Sequence, residues 1–571
     1  GEQPPPLPLR GRFAGFTEEM DLCLFAPPPA PFRHLLMGQG FATVTGEKGV
    51  LHSFSPEKAE EYLLVSDTGA YSLTEGLMLC RPGVTQYHCR PMGVGGKGTL
   101  FSHASLPVNL RQITLQSPTE ITCALRCMVR FSEKSGVIAT RRDAPFAYAA
   151  FSHRRGIAFA HMENAALFTL PPCHAGAADA AAFHTEGASV AVFETPLHLL
   201  PHRPLSLCLT VGHAPDEQAA RRMTEAAHHQ GVCDALRQVG LFWQEKLEHL
   251  LLFGGAPELT PLLNRWLPYW ARCAERENAA SSFPDGLLSL LCCLHTDAPH
   301  ARHQLLLCAG NQEEPLLLPF LTALYVEITG DKAILQEKLK WPDAPSLLQQ
   351  CLSLLHSVKL GPHGLPQTAH PLWHPGHYET AESVALGFFL CMSYARFAPL
   401  CDGETGKRLM EHRQGLLSHL EQAWLEHESL PGWDGKGLPL AKTMPMGQMC
   451  ACLACLAGAP REHARRALHH ALAHPPSPGL SPLLVMALCN TGACEDAWQM
   501  ARHALSSFLP GEKAGHAAPA ALMYYVYITK LLGLEKKGNQ VRLMPCPGGD
   551  LEEFSLVLRH HSSAYHLTAG R

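Results

Sequence analysis

The sequence predicts a multidomain β + α protein in which an N-terminal β-sandwich precedes a ring of paired helices. The chain has 571 residues, and at about 150 residues per domain this length suggests roughly two to four domains. Segments of strand character occupy residues 13 to about 211, and segments of helical period occupy most of the remainder. The sequence therefore predicts four regions, which are 1–215, 216–258, 259–535 and 536–571.

The first region, residues 1–215, is predicted to be an all-β sandwich. Its apolar segments are short, are bounded by turns, alternate with polar residues and contain many β-branched side chains. Many such segments in succession pack most simply as two sheets face to face. The clearest segments are FATVTG at 41–46, QITLQS at 112–117, ITCALRCMVRF at 121–131, SVAVFE at 189–194 and LSLCLTV at 205–211.

Helical spacing begins at about Asp216. The segments at 217–231 and 233–253 predict two connecting helices, and residues 216–258 are therefore predicted to form a helical linker. Residues 259–535 contain about eleven further segments of helical length and period. A count near twelve in one domain is what an (α/α)6 barrel requires, with its site at the loop-rich end. Residues 536–571 predict short strands that pack on the sandwich or cap the ring.

The composition narrows the classes of function. The formal net charge is −5, from 46 basic and 51 acidic residues, so no nucleic-acid partner is expected. No apolar run reaches the roughly 18 residues that span a bilayer, so no membrane segment is expected in this chain. The 21 cysteines lack the spacing of a disulfide framework, which predicts a reducing, cytoplasmic location. The sequence begins without methionine, so an origin as a fragment of a longer or membrane-associated protein stays open.

Five stretches, in order along the chain, carry a resemblance to a known family. They are LLNRWLPYWARCAER at 262–276, ALYVEITGDKAIL at 323–335, HGLP at 363–366, ESVALGFFL at 382–390, and MYYVYITKLLGL at 523–534 followed by LMPCP. These stretches resemble motifs of the inverting glycoside phosphorylases of glycoside hydrolase family 94, formerly glycosyltransferase family 36. That family includes cellobiose and chitobiose phosphorylases.

Two N-terminal stretches refine the resemblance. GRFAGF at 11–16 and PPAPF at 28–32 are similar to the opening of the C-terminal phosphorylase-like region of cyclic β-1,2-glucan synthase. The likeness thus covers nearly the whole chain. It implies a galactose-mutarotase-like super-sandwich ahead of an (α/α)6 six-hairpin barrel, an oligosaccharide or glucan as ligand and no cofactor. Because family members are often dimers, a homodimer is a candidate assembly.

The resemblance places the catalytic loop just after HGLP, and this loop departs from the family. In the family, a Gly-Asp-Trp-Asn-Asp-Gly loop provides the general acid from its second aspartate. Here Trp373 and Gly376 match, but Leu372 and Pro375 stand at the two aspartate positions. An inverting reaction needs a carboxylic acid that protonates the leaving oxygen, and proline has no proton to give. General acid catalysis contributes typically about 10²–10⁴-fold, so phosphorolysis is not expected.

The positions that support phosphate in the family also differ. Asp285 keeps a sugar-binding aspartate, but Pro284 replaces the arginine beside it. The threonine and glycine of a second motif correspond to Ala517 and Ala518, and the histidine of a third has no counterpart in PSPGLSPLL. A phosphate dianion needs arginine, backbone N–H groups or hydroxyls around it. The sequence therefore predicts that the phosphate cradle is lost.

Several other side chains are candidates for contact with a sugar. Glu313 and Glu314 stand at about the position of a paired aspartate, where the long subsite loop of the family is absent. Glu382 opens the ESVALGFFL helix, where an acid in the first turn is also favoured electrostatically without any function. Glu379 is a candidate displaced acid or an ordinary exposed glutamate. Trp373 is a candidate sugar platform or an ordinary packing residue, and Asp285 a sugar ligand or a helix cap.

A metal site is the alternative interpretation of the histidine-rich loop. His370, His374 and His377 have spacings that resemble those of ligands on a helix, but Pro371 and Pro375 prevent a regular helix there. We therefore predict no metal. His470 and His474 on one helix face are interpreted as solvated, and the Cys452/Cys455 pair as buried core thiols.

Three functions of different classes follow from these positions. The leading hypothesis is a glycan-binding, phosphorylase-like protein that does not perform phosphorolysis. The second is an active hydrolase or transglycosylase with a relocated pair among Asp285, Glu313, Glu314, Glu379 and Glu382; for an inverting reaction the pair lies roughly 6.5–9.5 Å apart. The third is a structural or interaction protein whose sugar cleft is closed, with no exposed aromatic platform.

Overall fold

A computed structural model defines the fold. It describes residues 4–570 except 30–31, 39–41, 52–57, 132–136, 142–145, 154–155, 164–165, 171–188, 255–259, 278–287, 311–314, 342, 375, 377, 427–429, 460, 475, 477–478, 510–516, 549–552 and 561–562. The chain divides into two compact units. The first comprises Gly1–Lys246 with Leu509–Gly511, and the second comprises Leu247–Phe508 with Glu512–Arg571.

The first unit is a β-sandwich followed by two helices. Its strands are β1 Leu9–Arg10, β2 Ala14–Phe16, β3 Leu22–Leu24, β4 His34–Met37, β5 Ala42–Gly46, β6 Gly49–Leu51, β7 Lys58–Ser66, β8 Gly69–Ser72, β9 Leu77–Arg81, β10 Val84–Cys89, β11 Gly95–Ser102, β12 Val108–Gln116, β13 Ile121–Phe131, β14 Val137–Arg141, β15 Phe146–His153, β16 Gly156–Glu163, β17 Ala166–Leu170, β18 Ser189–Leu199 and β19 Leu205–Ala214.

These strands form two antiparallel sheets. One has eleven strands in the order β1-β2-β3-β9-β10-β11-β12-β19-β16-β15-β14. The other has eight, in the order β17-β18-β13-β7-β6-β5-β4, with β8 paired to β7. The predicted strand ITCALRCMVRF is β13, and its alternating apolar side chains face the buried side. The N-terminal β-sandwich is therefore confirmed.

Polar side chains connect the two sheets through the core. Tyr87 of β10 donates a hydrogen bond to the carbonyl of Gly46 on β5 at 2.6 Å. Arg111 of β12 and Glu60 of β7 form a fork of two hydrogen bonds, with Nε to Oε2 at 2.8 Å and Nη2 to Oε1 at 3.0 Å. Tyr62 donates a further hydrogen bond to Glu60. Because buried charges are stable only when paired, this cluster fixes how the sheets face each other.

Two helices follow the sandwich, as the sequence predicts. Helix α1, Glu217–Gln230, begins after Asp216, whose side chain accepts a hydrogen bond from the N–H of Ala219. Helix α2 spans Val232–Leu247. The LLLF segment after it, predicted as helical, is instead strand β20, Leu250–Gly254. Periodicity cannot separate a short apolar strand from a helix end, and here a distant strand supplies the pairing.

Eleven α-helices are described between residues 260 and 531. They are α3 Leu267–Glu277, α4 Ala298–Cys308, α5 Leu317–Thr329, α6 Leu347–His356, α7 Val384–Phe397, α8 Gly403–Glu426, α9 Met444–Ala457, α10 Arg461–Leu472, α11 Ser481–Thr491, α12 Cys494–Ser506 and α13 Ala517–Val526. A π-helical turn, Leu262–Trp266, leads into α3, and another, Tyr527–Leu531, follows α13.

The contacts among these helices follow a regular order. The alternate helices α5, α7, α9, α11 and α13 contact one another in succession, and α13 also packs on α3. Of these, α7 and α9 are buried along most of their length, as expected for helices in the interior of a domain. A ring of helix pairs would contain such a succession of contacts. The helical C-terminal part is thus confirmed, and the complete (α/α)6 barrel stays a prediction.

The C-terminal strands lie within the second unit. They are β24 Leu534–Lys537, β25 Gln540–Leu543, β26 Glu553–His560 and β27 Ser563–Gly570. Strands β20, β26 and β27 form one antiparallel sheet, and β24 and β25 form a hairpin that contacts α5. In the part of the chain that the structure describes, no helix is both long and apolar enough to cross a membrane.

Candidate functional site

A small three-stranded sheet at the start of α7 collects the site predicted from the HGLP and ESVALGFFL stretches. Its strands are β21 Gln367–Thr368, β22 Ala381–Ser383 and β23 Gly432–Asp434. Glu382 in the middle strand is paired with Gln367 on one side and Trp433 on the other. Ser383 then caps α7, because its hydroxyl accepts a hydrogen bond from the N–H of Leu386 at 3.1 Å.

The sequence predicted that Glu382 lies in the first turn of the helix, and this prediction is wrong. Glu382 lies in a strand, one residue before the cap, because Ser383 is the better N-cap and its extended backbone continues the sheet. The side chain of Glu382 is only 2% exposed. A buried carboxylate needs partners, and the HGLP loop supplies them.

Both carboxylate oxygens of Glu382 are occupied by the loop. Oε1 accepts hydrogen bonds from the backbone N–H groups of His363 at 3.0 Å and Leu365 at 3.4 Å. The imidazole Nδ1 of His363 lies 2.6 Å from Oε2, in an ion-pair geometry. Such charge-assisted hydrogen bonds are shorter and stronger than neutral ones. Glu382 therefore anchors the HGLP loop to the start of α7.

His363 is the member of this pair that reaches the surface. Its side chain is 36% exposed, and its ring stacks on the indole of Trp433 with centroids 4.1 Å apart and an interplanar angle of 13°. Trp433 itself is buried. The surface here thus presents an imidazole that is backed by an aromatic ring and oriented by a carboxylate.

Two glycines make room for this arrangement. A Cβ on Gly361 would lie 2.3 Å from the carboxyl carbon of Glu382. A Cβ on Gly432, whose φ is +149°, would lie 1.8 Å from the backbone oxygen of Glu382. Neither position has space for a side chain, so the close approach of Glu382 depends on glycine at both.

Exposed apolar side chains flank the same sheet. Leu360 precedes Gly361 and is more than half exposed, as is Leu438, whose backbone oxygen accepts a hydrogen bond from Asp434. Ligand sites typically combine apolar surface with a few oriented polar groups. A sugar ring has the matching features, with apolar C–H faces and a rim of hydroxyl groups.

Trp373 is placed differently from the exposed platform that was one of its two interpretations. It is 3% exposed and packs on Phe389 of α7, with ring centroids 5.0 Å apart. Its carbonyl accepts a hydrogen bond from the hydroxyl of Ser383, which fixes the loop to the cap of α7. This placement corresponds to the packing interpretation of Trp373.

Of the five candidate carboxylates, Glu379 and Glu382 lie among the described residues. Glu379 lies exposed on the bend before Glu382. Asp285, Glu313 and Glu314 lie outside the described residues, as do Pro375 and His377. Pro371 is exposed and Leu372 half-buried in the loop that precedes them. The separation of two carboxyl groups across a cleft therefore stays a prediction.

Two described histidines of the histidine-rich loop, His370 and His374, contact other residues of the same loop. The Nδ1 of His370 accepts a hydrogen bond from the N–H of Leu372 at 3.2 Å, and the buried ring of His374 packs edge-on against Tyr378. No cluster of three His, Cys, Asp or Glu side chains that would suit a metal ion is found among the described residues.

Two further patterns noted in the sequence have ordinary surroundings. His470 of α10 is exposed, and its ring lies edge-on to that of His474, with centroids 6.3 Å apart. Cys455 on α9 is buried, and burial raises the pKa of its thiol to about 11. Such a thiol packs as a small apolar side chain.

Sequence reasoning missed His363 as the partner of Glu382 and did not identify Trp433 or Gly361 at all. His363 opens the HGLP stretch, so the family resemblance did point to this loop. Nothing in the spacing of the residues indicates that His363 contacts Glu382, which lies 19 residues further on. Trp433 lies on a third strand whose pairing is set only by the folded sheet.

Comparisons with known proteins define the class of fold. None of the known family models matches the sequence, and no curated protein sequence matches it. Among solved structures, the chain is similar to a putative kojibiose phosphorylase from the human microbiome, with a TM-score of 0.58 and 9% identity over 98% of this chain and 92% of that one.

A second solved structure is similar over most of its length. It is a bacterial glucoamylase complexed with acarbose, with a TM-score of 0.55 and 9% identity over 90% of this chain and 91% of that one. A family 92 glycosyl hydrolase also matches, with a TM-score of 0.49 and 11% identity. The chain thus shares the fold of the putative kojibiose phosphorylase and of the bacterial glucoamylase.

Proposed function

We propose that this chain is a carbohydrate-binding protein of the glycoside phosphorylase type that does not catalyse phosphorolysis. The observation that carries the proposal is the state of Glu382. This buried carboxylate lies at the start of α7, and both of its oxygens are occupied by His363 and the backbone of the HGLP loop. A carboxyl group used in this way stabilises a loop and has no free oxygen for a leaving group.

The sequence of the catalytic loop supports the same conclusion. Leu372 and Pro375 stand where the family resemblance places two aspartates, and Pro284, Ala517 and Ala518 stand where it places phosphate contacts. Phosphorolysis needs both an acid on the leaving oxygen and a cradle for a dianion. On these positions and on the motif order, we further propose membership of family 94 with an (α/α)6 barrel.

We propose that the ligand is an oligosaccharide or glucan and that it binds at the end of the helical unit that carries the three-stranded sheet. The half-exposed imidazole of His363 and the exposed Leu360 and Leu438 provide polar and apolar contacts there. One solved structure of similar fold is a putative kojibiose phosphorylase, and another is a glucoamylase complexed with acarbose. Kojibiose and acarbose are therefore suitable probes.

One observation favours the structural alternative. A protein whose sugar cleft is closed presents no aromatic platform, and both Trp373 and Trp433 are buried. The two functions differ in one measurable property, because a structural protein gains no stability from a saturating sugar, whereas a binding protein does.

Thermal unfolding with a panel of sugars tests the proposal. The panel contains β-1,2-glucan oligosaccharides, cellobiose, chitobiose, kojibiose and acarbose. A ligand that binds only the folded protein stabilises it by about 2.7 kcal/mol at a concentration 100 times Kd, so at least one sugar is expected to raise the melting temperature. No shift with any sugar would leave the structural alternative.

Matched variants locate the binding. Glu382→Gln is expected to weaken the sugar-induced shift, measured from the melting temperature of each variant without sugar, because it releases His363. Glu379→Gln alters an exposed carboxylate nearby and is expected to retain the full shift. Trp373→Phe keeps an aromatic ring against Phe389 and is expected to bind as the wild type does. A full shift retained in Glu382→Gln would place the site elsewhere.

A further inference from the structure

A cavity of about 220 Å³ lies in the first unit, between the eleven-stranded sheet and the turn that joins α1 to α2. Strands β12 and β19 line it on one side. The end of α1, the turn and the start of α2 line the other side through Ala227, His228, Gly231 and Val232. All of its described lining residues belong to the first unit, so the cavity is distinct from the surface around Glu382.

Polar side chains of the sheet face this cavity. Arg111 of β12 contacts the other sheet within the sandwich core, and side chains alternate along a strand, so Gln112 faces away from that core. The strand register sets Gln112 beside Cys208 of β19, and Leu110 beside Thr210. The sheet therefore presents an amide, a thiol and a hydroxyl to the cavity, next to an apolar side chain.

The hydroxyl of Thr210 is the strongest evidence that the cavity takes a polar ligand. Thr210 lines the cavity and is 0% exposed, and its Oγ1 has no hydrogen-bond partner among the described residues. Buried polar groups are nearly always hydrogen-bonded, because a group without a partner bears the full penalty of its desolvation. A polar molecule in the cavity would supply this partner.

An imidazole forms part of the opposite wall. The half-buried His228 lies edge-on to His161 of β16, with ring centroids 5.3 Å apart and an interplanar angle of 89°. His161 is paired with Thr210 across the two strands and is 3% exposed. Burial, with a smaller contribution from His228, lowers the pKa of His161 to about 4. At neutral pH this buried ring is therefore uncharged, and it packs behind the His228 ring at the edge of the cavity.

The lining defines the chemical class of the ligand. Among its described residues there is no Asp, Glu, Lys or Arg, so an ionic ligand would lose its hydration without gaining an opposite charge. Thr210, Ser206 and Gln112 offer hydrogen bonds. Leu110 and Val232 offer apolar contact. A cavity of about 150 Å³ holds benzene, so 220 Å³ suits one six-membered ring with its substituents.

We propose that this cavity binds a neutral monosaccharide in its pyranose form. Such a sugar matches the lining, because it has no charge and carries both hydroxyl groups and apolar C–H faces. Ser206 is exposed, so the cavity is open to solvent at this edge. The site belongs to the sandwich and does not rest on the sugar site proposed around His363.

Protection of Cys208 from alkylation tests the proposal in the wild-type protein. Cys208 lines the cavity and is a half-buried free thiol, so a bound sugar would shield it. The protein is treated with iodoacetamide at increasing concentrations of D-glucose, and peptide mapping by mass spectrometry gives the alkylation rate. At a glucose concentration about 10 times Kd, the fraction of empty sites and the rate at Cys208 are expected to fall roughly 11-fold. Cys308, a half-buried thiol on α4, is the internal control and should react at an unchanged rate.

A matched pair of threonine variants locates the sugar. Thr210→Val keeps the shape of the side chain and removes one hydrogen bond, so the glucose concentration that halves the alkylation rate should rise roughly fivefold. Thr195 on β18 is also buried without a hydrogen-bond partner among the described residues, but it belongs to the other sheet. Thr195→Val should therefore retain the full protection. Glu382→Gln should retain it as well, so this inference and the proposed function can fail independently.

A charged sugar gives the last comparison. Glucose 6-phosphate is expected to protect Cys208 much less than glucose does, because the described lining offers no Lys or Arg to its phosphate. The proposal is overturned if glucose leaves the alkylation rate of Cys208 unchanged, as it would in a cavity that holds only water. It is also overturned if glucose 6-phosphate protects as well as glucose, or if Thr195→Val and Thr210→Val lose protection equally. The wild-type measurement needs no variant, so poor folding of a variant leaves the test intact.

Discussion

Glu60 in the sandwich and Glu382 in the helical unit are both buried carboxylates, and each is paired with a nitrogen-containing side chain. The two partner side chains differ in their access to water. Arg111, the partner of Glu60, has a fully buried side chain between two sheets. His363, the partner of Glu382, is 36% exposed on a loop and covers an indole. A pair that is buried on both sides maintains the core. A pair such as Glu382 and His363, in which the imidazole reaches the surface on a loop, can also contact a ligand.

The largest expected difference concerns the sandwich pair. Arg111→Met removes the cation and leaves Glu60 buried without compensation, which is expected to cost about 3–5 kcal/mol of unfolding free energy. Hydrogen exchange measured by mass spectrometry on peptides from β7 and β12 reports this loss locally. The double variant Arg111→Met with Glu60→Leu is expected to recover much of the stability, and a double variant less stable than the single one would contradict this account.

Glu382→Gln is expected to have a smaller effect on stability. The amide removes the charge that holds His363, and a hydrogen bond to a charged group contributes about 1.5–3 kcal/mol. Because His363 is part-exposed, water replaces some of the lost interaction, and the result should lie at the lower end of that range. Urea unfolding of the helical unit measures it against Glu379→Gln, which should remain within about 0.5 kcal/mol of the wild type.

Gly361→Ala disturbs the same contact from the opposite side. The new methyl group would stand 2.3 Å from the carboxyl carbon of Glu382, and such overpacking costs about 1–3 kcal/mol. Thermal unfolding should therefore show a lower melting temperature. An unchanged melting temperature would mean that Glu382 can move away freely, and that its anchoring of the HGLP loop is weak.

Acid is expected to destabilise both units through buried histidines. Burial lowers the pKa of His34 in the sandwich to about 3, and burial, assisted by Lys536, lowers that of His295 in the helical unit to about 3. Above pH 6.5 these histidines are neutral in both the folded and the unfolded chain. As the pH falls from about 6.5 towards 3, the unfolded chain binds protons that the folded chain does not.

Stability is therefore lost over that interval, by about 1.4 kcal/mol per pH unit for each such histidine. Unfolding of His295→Phe measured at pH 7 and pH 5 should show a smaller loss than that of the wild type. An identical pH dependence in the variant and the wild type would assign the acid sensitivity of the helical unit to other groups.

The smallest expected effect has the opposite sign. Gly415 lies on the exposed side of α8, and a Cβ there would meet no atom within 4 Å. Gly415→Ala is therefore expected to stabilise the helical unit by about 0.5–1 kcal/mol, because glycine loses more conformational freedom on folding than alanine. Opposite shifts of melting temperature in Gly415→Ala and Gly361→Ala would confirm that packing around Glu382 decides the sign.

Much of the fold is predictable from local patterns. Alternation of apolar side chains predicts β13, and the helical spacing that begins at about Asp216 predicts α1. The LLLF segment of β20 is not predictable in this way, because its conformation depends on pairing with β26 at the other end of the chain. Short apolar runs take the structure that their partner provides.

The site was predictable only in part for the same physical reason. The family resemblance indicates Glu382 and the HGLP stretch, but their contact depends on strand pairing and on glycine at positions 361 and 432. The burial of Trp373 follows from its packing on Phe389, which no spacing in the sequence indicates.

The most direct test of the central claim is an assay for phosphorolysis combined with an assay for binding. The purified protein is incubated with each sugar of the panel, with and without inorganic phosphate, and sugar 1-phosphate, free sugar and melting temperature are followed together. A raised melting temperature without either product is the predicted result. Sugar 1-phosphate that forms only when phosphate is present would contradict the account, because it would require an acid that the positions of Leu372 and Pro375 do not provide.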